Sequence, residues 1–346
     1  MAQLFTPFIC KDLTVKNRIM MAPMCMYSAA DDGICTPWHI VHYATRAQGT
    51  VGLLIQEATA VEQRGRITAQ DLGIWSDEQI APLKQLVDVV HEYGSKIGIQ
   101  LGHAGRKGTA KPHQIIAPSA IAFSDDYDVP AEMTVTDIRE VILAFQDAAR
   151  RVRLAGYDII EIHAAHGYLI NQFMSPLTNQ RTDAYGGSLI GRARFLQEII
   201  AAIRKEWPIE KPLMLRVSAE EYQENGNHPQ EVADILNEVK ALGVDLVNVS
   251  SGGVVPVPVP SYAGYQVQFA EMIRKQTKLP VVAGGLITDP HMAEEILQHQ
   301  RADMIYLGRI LLREPYWPLL ADGVLQQELS WPRQYERGRP RQNGYR

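Results

Sequence analysis

The chain has few cysteines, no long apolar run and no excess of positive charge. Its three cysteines, Cys10, Cys25 and Cys35, form no C-x-x-C pair, which excludes a disulfide scaffold and a clustered zinc or iron–sulfur site. No stretch approaches 18 consecutive apolar residues, so the sequence predicts no membrane span. The formal charge of −5 at pH 7 argues against non-specific binding of nucleic acid, which requires a positive field.

Two sequence signals are also missing. The first 18 residues are interrupted by Lys11, Asp12 and Lys16 and have no signal-peptide core. Together with the cysteine usage, this predicts a reducing, cytoplasmic location. No G-x-G-x-x-G fingerprint follows the first apolar run, which disfavours a doubly wound dinucleotide-binding sheet.

What the chain does contain is a series of short, apolar, β-branched runs that alternate with segments of helical period. The runs are apolar throughout, as expected of parallel strands buried on both faces. Eight such units in order predict a (β/α)8 TIM barrel rather than an open sheet. The predicted strands are Ile19–Met24, Val51–Glu57, Lys96–Leu101, Ile159–His163, Pro212–Ser218, Leu246–Ser250, Pro280–Gly284 and Ala302–Leu307.

Several helix boundaries and the domain organisation can also be predicted. The predicted helix starts are Ser76 (with Gln79 in capping-box spacing), Thr136, Pro229 and Pro290 after Asp289, and the predicted stops are Gly94 and Gly156. No linker or repeat divides the chain, so we expect one domain over residues 1–346. The additions to a minimal barrel are an N-terminal hairpin (Phe5–Val15), a long excursion (Gly102–Met133), a long loop after the fourth strand and a basic tail.

Polar residues follow the predicted strands at the end that faces a barrel's active site. They are Cys25, Gln100, His163, Arg216, Ser250 and Gly284. This set is too polar to fill a core, and alone it would suit an aldolase, an isomerase or a flavin enzyme.

His163 ends the fourth strand, and His166 follows one helical turn later, beside Tyr168. Both imidazoles can therefore point into the mouth of the barrel, where we expect them to be functional. The alternative is a metal site completed by Glu161, as in a metal-dependent barrel hydrolase or aldolase. Glu161 shares strand parity with His163, which places it one layer deeper than the mouth.

Arg216 interrupts an apolar strand and needs an anionic partner, because an unpaired buried charge is costly. That partner is either a structural carboxylate, Glu161 or Glu57, or an anionic cofactor ring. Glycine turns follow the last two strands, at 284–285 and 308, the latter beside Arg309. Barrels commonly bind phosphate at these two loops.

Near the first strand, Cys25 is either a small buried residue or a group at the active site. Tyr27, two residues later, is either a lid that packs over the pocket or a phenol that contacts the ligand.

With these motifs the chain resembles the old yellow enzyme family of flavin-dependent ene-reductases, in particular its shorter bacterial subclass with an active-site cysteine. The resemblance covers Leu4 to Gly338. It rests on the motifs APMCMYS at 22–28, QDLGIWS at 70–76, HAGRK at 103–107, HAAHGYL at 163–169, RTDAYGGS at 181–188 and QYERG at 334–338. Gly191 departs from the asparagine of many relatives, and the tail 339–346 runs beyond them.

The resemblance implies non-covalent FMN, reduced by NADPH, and a substrate such as an enone, enal, maleimide or nitro compound. The implied isoalloxazine contacts are Ala22, Pro23, Met24, Cys25, Ala58, Gln100 and Arg216, and the implied phosphate contacts are Gly284, Gly285, Gly308 and Arg309. His163 and His166, assisted by Tyr27, would bind the activating oxygen of the substrate. Tyr168 would donate the proton, and Cys25 would tune the flavin.

The resemblance also implies a homodimer or a dimer-of-dimers tetramer, in which Arg337 reaches the substrate site of a neighbouring subunit. The tail 332–346 would then lie at the interface or be disordered at its end. Two related classes fit less well. A tRNA-modifying flavin barrel needs a basic surface, and a dienoyl-CoA reductase needs an iron–sulfur cysteine cluster and a further domain.

Overall fold

In the computed structural model, which describes residues 2–327 and 329–339, eight parallel strands close into a barrel. The barrel order is β3, β4, β5, β8, β9, β10, β11 and β12, and β12 pairs with β3 to close it. The predicted TIM barrel is therefore confirmed. In chain order the strands are β1 (Phe8–Cys10), β2 (Leu13–Val15), β3 (Ile19–Met21), β4 (Leu53–Ala60), β5 (Lys96–Gly102), β6 (Ile116–Ala117), β7 (Ala131–Glu132), β8 (Ile159–Ala164), β9 (Leu213–Ser218), β10 (Leu246–Ser250), β11 (Val281–Ala283) and β12 (Met304–Leu307).

Helices separate the barrel strands and cover the outside of the barrel. They are α1 (Pro37–Gln48), α2 (Ile80–Glu92), α3 (Val135–Ala155), α4 (Leu169–Met174), α5 (Leu189–Glu206), α6 (Pro229–Val239), α7 (Val267–Thr277), α8 (Pro290–Gln298), α9 (Arg309–Arg313) and α10 (Trp317–Val324). No helix in the described residues is both long and apolar enough to span a membrane.

Most of the predicted helix ends are confirmed, and one is wrong. Ser76 and Gln79 form the predicted capping box on a 3-10 turn that leads into α2. Helix α3 begins one residue before Thr136, and its cap is Thr134, which forms a capping box with Asp137. An aspartate at the third helical position completes this box, so the first turn starts earlier than Thr136 suggests.

The remaining predicted boundaries agree with the structure. Gly156 ends α3 with φ of 89°, a conformation that costs glycine little. Pro229 and Pro290 occupy first-turn positions, and Asp289 accepts a hydrogen bond from the backbone N–H of His291. Helix α2 ends at Glu92, two residues before Gly94.

Two apolar layers form the core. The larger lies between the barrel strands and the helices around them. The smaller fills the lower barrel, where the antiparallel hairpin β1–β2 packs against inward-facing residues such as Met20, Ile159 and Leu246. The hairpin therefore closes the amino-terminal end of the barrel, and the polar residues collect at the carboxyl end.

The excursion after β5 carries the two short parallel strands β6 and β7. Near the carboxyl terminus, Arg333–Gly338 forms a 3-10 helix. Residues 340–346, the end of the predicted interface tail, lie outside the described residues.

Candidate active site

A cavity of about 300 Å³ opens at the carboxyl ends of the barrel strands. Seven of the predicted cofactor contacts line it: Ala22, Pro23, Met24, Arg216, Gly285, Gly308 and Arg309. Residues that sequence reasoning did not select as cofactor contacts complete the wall: Ser250, Tyr265, Gln266, Leu286, Ile287, Thr288, Tyr306, Ile310 and Arg313. The polar residues at the predicted strand ends therefore indicate where the cavity lies, but they identify only part of its lining.

Arg216 gives this cavity a positive charge that no carboxylate of the described residues contacts. The side chain is buried, its Nε has no hydrogen-bond partner, and its guanidinium carbon lies 5.6 Å from the centre of the Tyr306 ring. The two carboxylates considered as structural partners are held by other donors, Glu161 by two amides and Glu57 by the Met26 N–H. A buried guanidinium with an unsatisfied N–H favours an anionic ligand.

The glycine turns allow the backbone to approach this cavity closely. A Cβ on Gly284 would collide with the ring of Tyr306, and Gly285 has φ of 101°, which an L side chain rarely adopts. Arg309 and Arg313, four residues apart on α9, both line the cavity. Backbone N–H groups beside two arginines suit a phosphate group.

A second, smaller hollow lies next to the first. Ala58, His163 and Tyr168 line it, together with residues that include Thr59, Asp71 and His103. The His163 ring centre is 4.8 Å from that of Tyr168 and 5.2 Å from that of His166, and both pairs meet edge to face. The structure therefore brings the two predicted histidines and the predicted tyrosine together.

The register of the barrel joins the two spaces. His163 on β8 is the direct neighbour of Arg216 on β9. Burial, followed by the charge of Arg216, holds the pKa of both His163 and His166 well below its usual range. Both imidazoles are therefore neutral at physiological pH, and each has one N–H to donate.

Local contacts fix the orientation of His163. The backbone N–H of Ala165 donates to its Nδ1 at 3.3 Å. An acceptor Nδ1 places the ring proton on Nε2. His163 can therefore donate a hydrogen bond from Nε2 to a ligand in the hollow.

His166 is held more extensively, in the left-handed conformation with φ of 58°. Its backbone N–H donates to Ser218 Oγ at 2.9 Å, and its Nε2 lies 2.7 Å from Ser250 Oγ. Lys107 Nζ donates to the carbonyl of His166 at 3.0 Å and to that of Gly253 at 3.2 Å. Lys107 thus ties three loops together around a strained residue.

A polar chain that the sequence did not reveal connects the cavity to His166. The Tyr306 hydroxyl donates to Gln266 Oε1, and Gln266 Nε2 donates to Ser250 Oγ at 3.1 Å. Only Ser250 carried a sequence signal, its place at a strand end. Lys107 was visible within HAGRK, but nothing there indicated its contacts with His166.

The segment after β3 lies beside the hollow. Glu57 Oε2 accepts the Met26 N–H at 2.6 Å, and Tyr27 is half exposed with φ of 49°. Burial, followed by the charges of Asp71 and Glu57, raises the pKa of the Cys25 thiol well above its usual range. Cys25 is therefore a neutral thiol, which fits a tuning role better than a nucleophilic one.

Six predicted site residues line neither of these spaces: Cys25, Tyr27, Gln100, His166, Gly284 and Arg337. Cys25, Tyr27 and His166 lie on the loops described above. Gln100 is buried and donates to Glu161 instead of lining the cavity. Gly284 is behind the cavity wall, against Tyr306. Arg337 is exposed on the 3-10 helix near the carboxyl terminus and lines neither the cavity nor the hollow.

The metal interpretation of Glu161, His163 and His166 is not favoured. Both carboxylate oxygens of Glu161 accept amide hydrogens at 2.7 Å. Across residues 2–327 and 329–339, no group of three or more His, Cys, Asp or Glu side chains is arranged to hold a metal ion.

The fold and the site define a TIM-barrel enzyme whose cavity suits a cofactor with an anionic ring and a phosphate. Residues 3–328 match the family model of NADH:flavin oxidoreductases and NADH oxidases, and the chain belongs to this family. The family is that of the old yellow enzymes, flavin oxidoreductases with FMN as cofactor and a nicotinamide nucleotide as reductant.

Individual relatives agree with this assignment. The chain is 52% identical over 336 residues to the NADPH dehydrogenase of Geobacillus thermodenitrificans, covering 97% of this chain and 98% of the relative. Among solved structures, morphinone reductase is 28% identical to this chain, with a TM-score of 0.82. The alignment covers 95% of this chain and 91% of morphinone reductase. 2-Naphthoyl-CoA reductase is 27% identical with a TM-score of 0.88, covering 94% of this chain, which spans only 52% of that longer protein.

The residues present fit FMN. The unsatisfied Nε of Arg216 is suited to the electron-rich edge of a flavin ring. The close approach of the backbone at Gly284 and Gly285, beside Arg309 and Arg313, is suited to the phosphate.

Proposed function

We propose that the chain is an NADPH-dependent ene-reductase of the short, cysteine-containing subclass, which reduces enones, enals, maleimides and nitro compounds. FMN, when bound and reduced by NADPH, supplies the reducing equivalents for the double bond. The observation that carries the proposal is the pairing of His163 with Arg216 across two strands. An imidazole that can donate a hydrogen bond thereby lies beside a guanidinium without a contacting carboxylate, between the cavity and the hollow.

The cofactor would be held along the whole cavity. The backbone from Ala22 to Cys25, together with Ala58, Gln100 and Arg216, would contact the ring. Gly284, Gly285, Gly308 and Arg309 would hold the phosphate, and Arg313 adds a second cation there. The fixed charge of Arg216 would favour the reduced, anionic form of the cofactor.

His163 and His166 would activate the substrate by hydrogen bonding to its carbonyl or nitro oxygen, with Tyr27 assisting. Negative charge builds on this oxygen as the alkene is reduced, and preorganised donors stabilise it as an oxyanion hole does. The contacts around both residues support this role, because the Ala165 N–H fixes the His163 ring, and Ser218 and Lys107 fix the backbone of His166 before substrate binds.

Tyr168 would deliver the proton to the α carbon of the substrate. Burial, followed by the nearby Cys25 and Tyr27, raises the pKa of Tyr168 well above its usual range. The phenol therefore stays protonated at physiological pH and is available as a general acid. After the transfer, solvent would return the proton to the phenolate.

Two further parts of the proposal concern Cys25 and Arg337. As a neutral thiol beside the ring, Cys25 would tune the reduction potential and substrate binding without forming a covalent bond. The protein would be a cytoplasmic homodimer or dimer-of-dimers tetramer, and the exposed Arg337 would enter the substrate site of the partner subunit.

The purified protein tests the proposal directly. We expect one FMN per chain, loss of its visible absorbance under anaerobic NADPH, and recovery on adding cyclohexenone or a maleimide. Arg216→Met should weaken FMN binding, whereas Arg301→Met should not, because Arg301 is a half-buried arginine that pairs with Glu271 away from the cavity. An active protein that contains stoichiometric metal and no flavin would overturn the proposal.

A further inference from the structure

Glu161 is a carboxylate in the middle of β8 that the proposed reaction does not use. It is completely buried, and an ionised carboxylate inside a protein is costly unless it is paired and hydrogen-bonded. Oε1 accepts from Gln100 Nε2 and Oε2 accepts from Asn248 Nδ2, each at 2.7 Å. One carboxylate therefore satisfies two amides, one from the adjacent strand β5 and one from β10, which lies beyond β9 on the other side.

These contacts fix which end of each amide faces Glu161. Since both NH2 groups point at Glu161, both amide oxygens point away from it. Asn248 Oδ1 is buried and has no partner, and Gln100 is one of the proposed ring contacts. A residue without two acceptor oxygens could not hold both amides in this orientation.

Glu161 also acts on the charge of Arg216 without contacting it. Asn248 is the direct neighbour of Arg216 in the β9–β10 register, and Gln100 is the neighbour of Glu161 in the β5–β8 register. In the β8–β9 register the neighbour of Glu161 is Met214, two residues before Arg216, so Glu161 lies one layer below the guanidinium on the adjacent strand. Burial raises the pKa of Glu161, and the charge of Arg216 and the two amide donors oppose this shift. Both carboxylate oxygens act as acceptors, as expected of the ionised form.

We propose that Glu161 is a positioning residue for the cofactor pocket: it orients the amides of Gln100 and Asn248 and places a negative charge beneath Arg216. This inference rests on the proposed function, because the pocket it organises is that of FMN. Glu161 contacts neither of the two spaces in the active site, so its effect is transmitted by its neighbours.

Glu161→Gln tests both parts of the inference. The glutamine presents one NH2 to an amide NH2, so one of the two amides loses its hydrogen bond or turns. We expect FMN to bind about tenfold more weakly, as loss of one such hydrogen bond implies. Removing the negative charge should favour reduced FMN by about tenfold, a positive shift of about 30 mV for a two-electron couple.

Glu221→Gln is the matched control. Glu221 is equally buried and hydrogen-bonded, to Asn171, Ser175 and the Asn227 N–H, but the proposed reaction assigns no role to this cluster. We expect it to lower the melting temperature while leaving the FMN dissociation constant and midpoint potential unchanged. If Glu161→Gln fails to fold, Asn248→Ala removes one donor and should weaken FMN binding by a smaller factor.

The outcomes separate the inference from the proposed function. If wild-type protein binds FMN but Glu161→Gln binds it within twofold of wild type, Glu161 does not position the pocket. Weaker binding with an unchanged potential would refute the charge role of Glu161. A wild-type protein that binds no FMN would instead refute the proposed function.

Discussion

The two ends of the barrel differ in how their charged side chains are paired. At the amino-terminal end, carboxylates are paired with cations and with backbone N–H groups. At the carboxyl end, Arg216 is buried without a contacting counter-ion among the residues that the structure describes, and the neighbouring histidines are neutral. The comparison shows which end is built for stability and which for binding.

Three aspartates repeat one arrangement at the amino-terminal end. Asp158, Asp245 and Asp303 each lie immediately before a barrel strand, and each accepts a backbone N–H from the neighbouring strand at 2.9 Å. Each also pairs with cations: Asp158 with His91 and Lys96, Asp245 with Arg204 and Lys11, and Asp303 with Arg274. Each aspartate therefore stabilises the register between two barrel strands. It also holds a helix or the hairpin against this end of the barrel through its ion pairs.

Among the described residues, no carboxylate contacts Arg216 in this way, since Glu161, one layer below it, is held by Gln100 and Asn248. A charge left without a partner in a protein interior is destabilising, and such groups persist mainly where a ligand supplies the missing interaction. Substitutions of the side chains that face the cavity or the hollow should therefore change activity with little effect on stability. Substitutions at the amino-terminal end should do the reverse.

The largest expected effect is that of Tyr168→Phe at the carboxyl end. Loss of the proposed general acid should slow alkene reduction by about 10²-fold or more. NADPH oxidation with quinones, which need no carbon protonation, should stay close to wild type, as should the melting temperature. Equal losses with both substrates in rapid-mixing experiments would instead assign Tyr168 a structural role.

Asp245→Ala should give the opposite pattern. The change removes the acceptor for the Leu213 N–H and leaves Arg204 without its carboxylate. We expect the free energy of unfolding to fall by about 2–3 kcal/mol, with turnover per bound FMN unchanged. Asp234→Ala, an exposed position on α6, is the control, and a similar loss there would show that the pairing is not responsible.

The contrast between buried strands and polar site residues also explains which features could be predicted from the sequence. The eight strands were predictable because parallel strands buried on both faces are continuous apolar runs, and each confirmed run ends near a polar residue of the site. His163 and Arg216 were found because a polar residue inside such a run stands out. The Thr134 cap was missed by two residues, because Asp137 rather than a Glu or Gln completes its capping box.

The contacts that tune the site were not predictable. Gln266 lies in a loop with no pattern of its own, and it becomes important only because Tyr306, 40 residues later, donates to it. Lys107 and the carbonyl of His166 are 59 residues apart. Such pairings depend on the barrel register and loop shape, and neither leaves a periodic signal in one sequence.

The smallest expected effect concerns pH and Asp158. Burial would raise the pKa of Asp158, but hydrogen bonds from His91, Ile97 and Lys96 outweigh it and hold the pKa below its usual value. A lowered folded-state pKa stabilises the protein above the unfolded-state pKa of about 4, and this stability is lost as the pH falls through the folded-state value. In urea unfolding at pH 7, the free energy of unfolding of Asp158→Asn should therefore be about 1 kcal/mol lower than that of wild type. This difference should become smaller below pH of about 4. The control is Asp88→Asn, on the exposed face of α2 beside Lys84, which should be as stable as wild type. If the stability difference between wild type and Asp158→Asn stays constant down to low pH, the charge of Asp158 contributes nothing to stability.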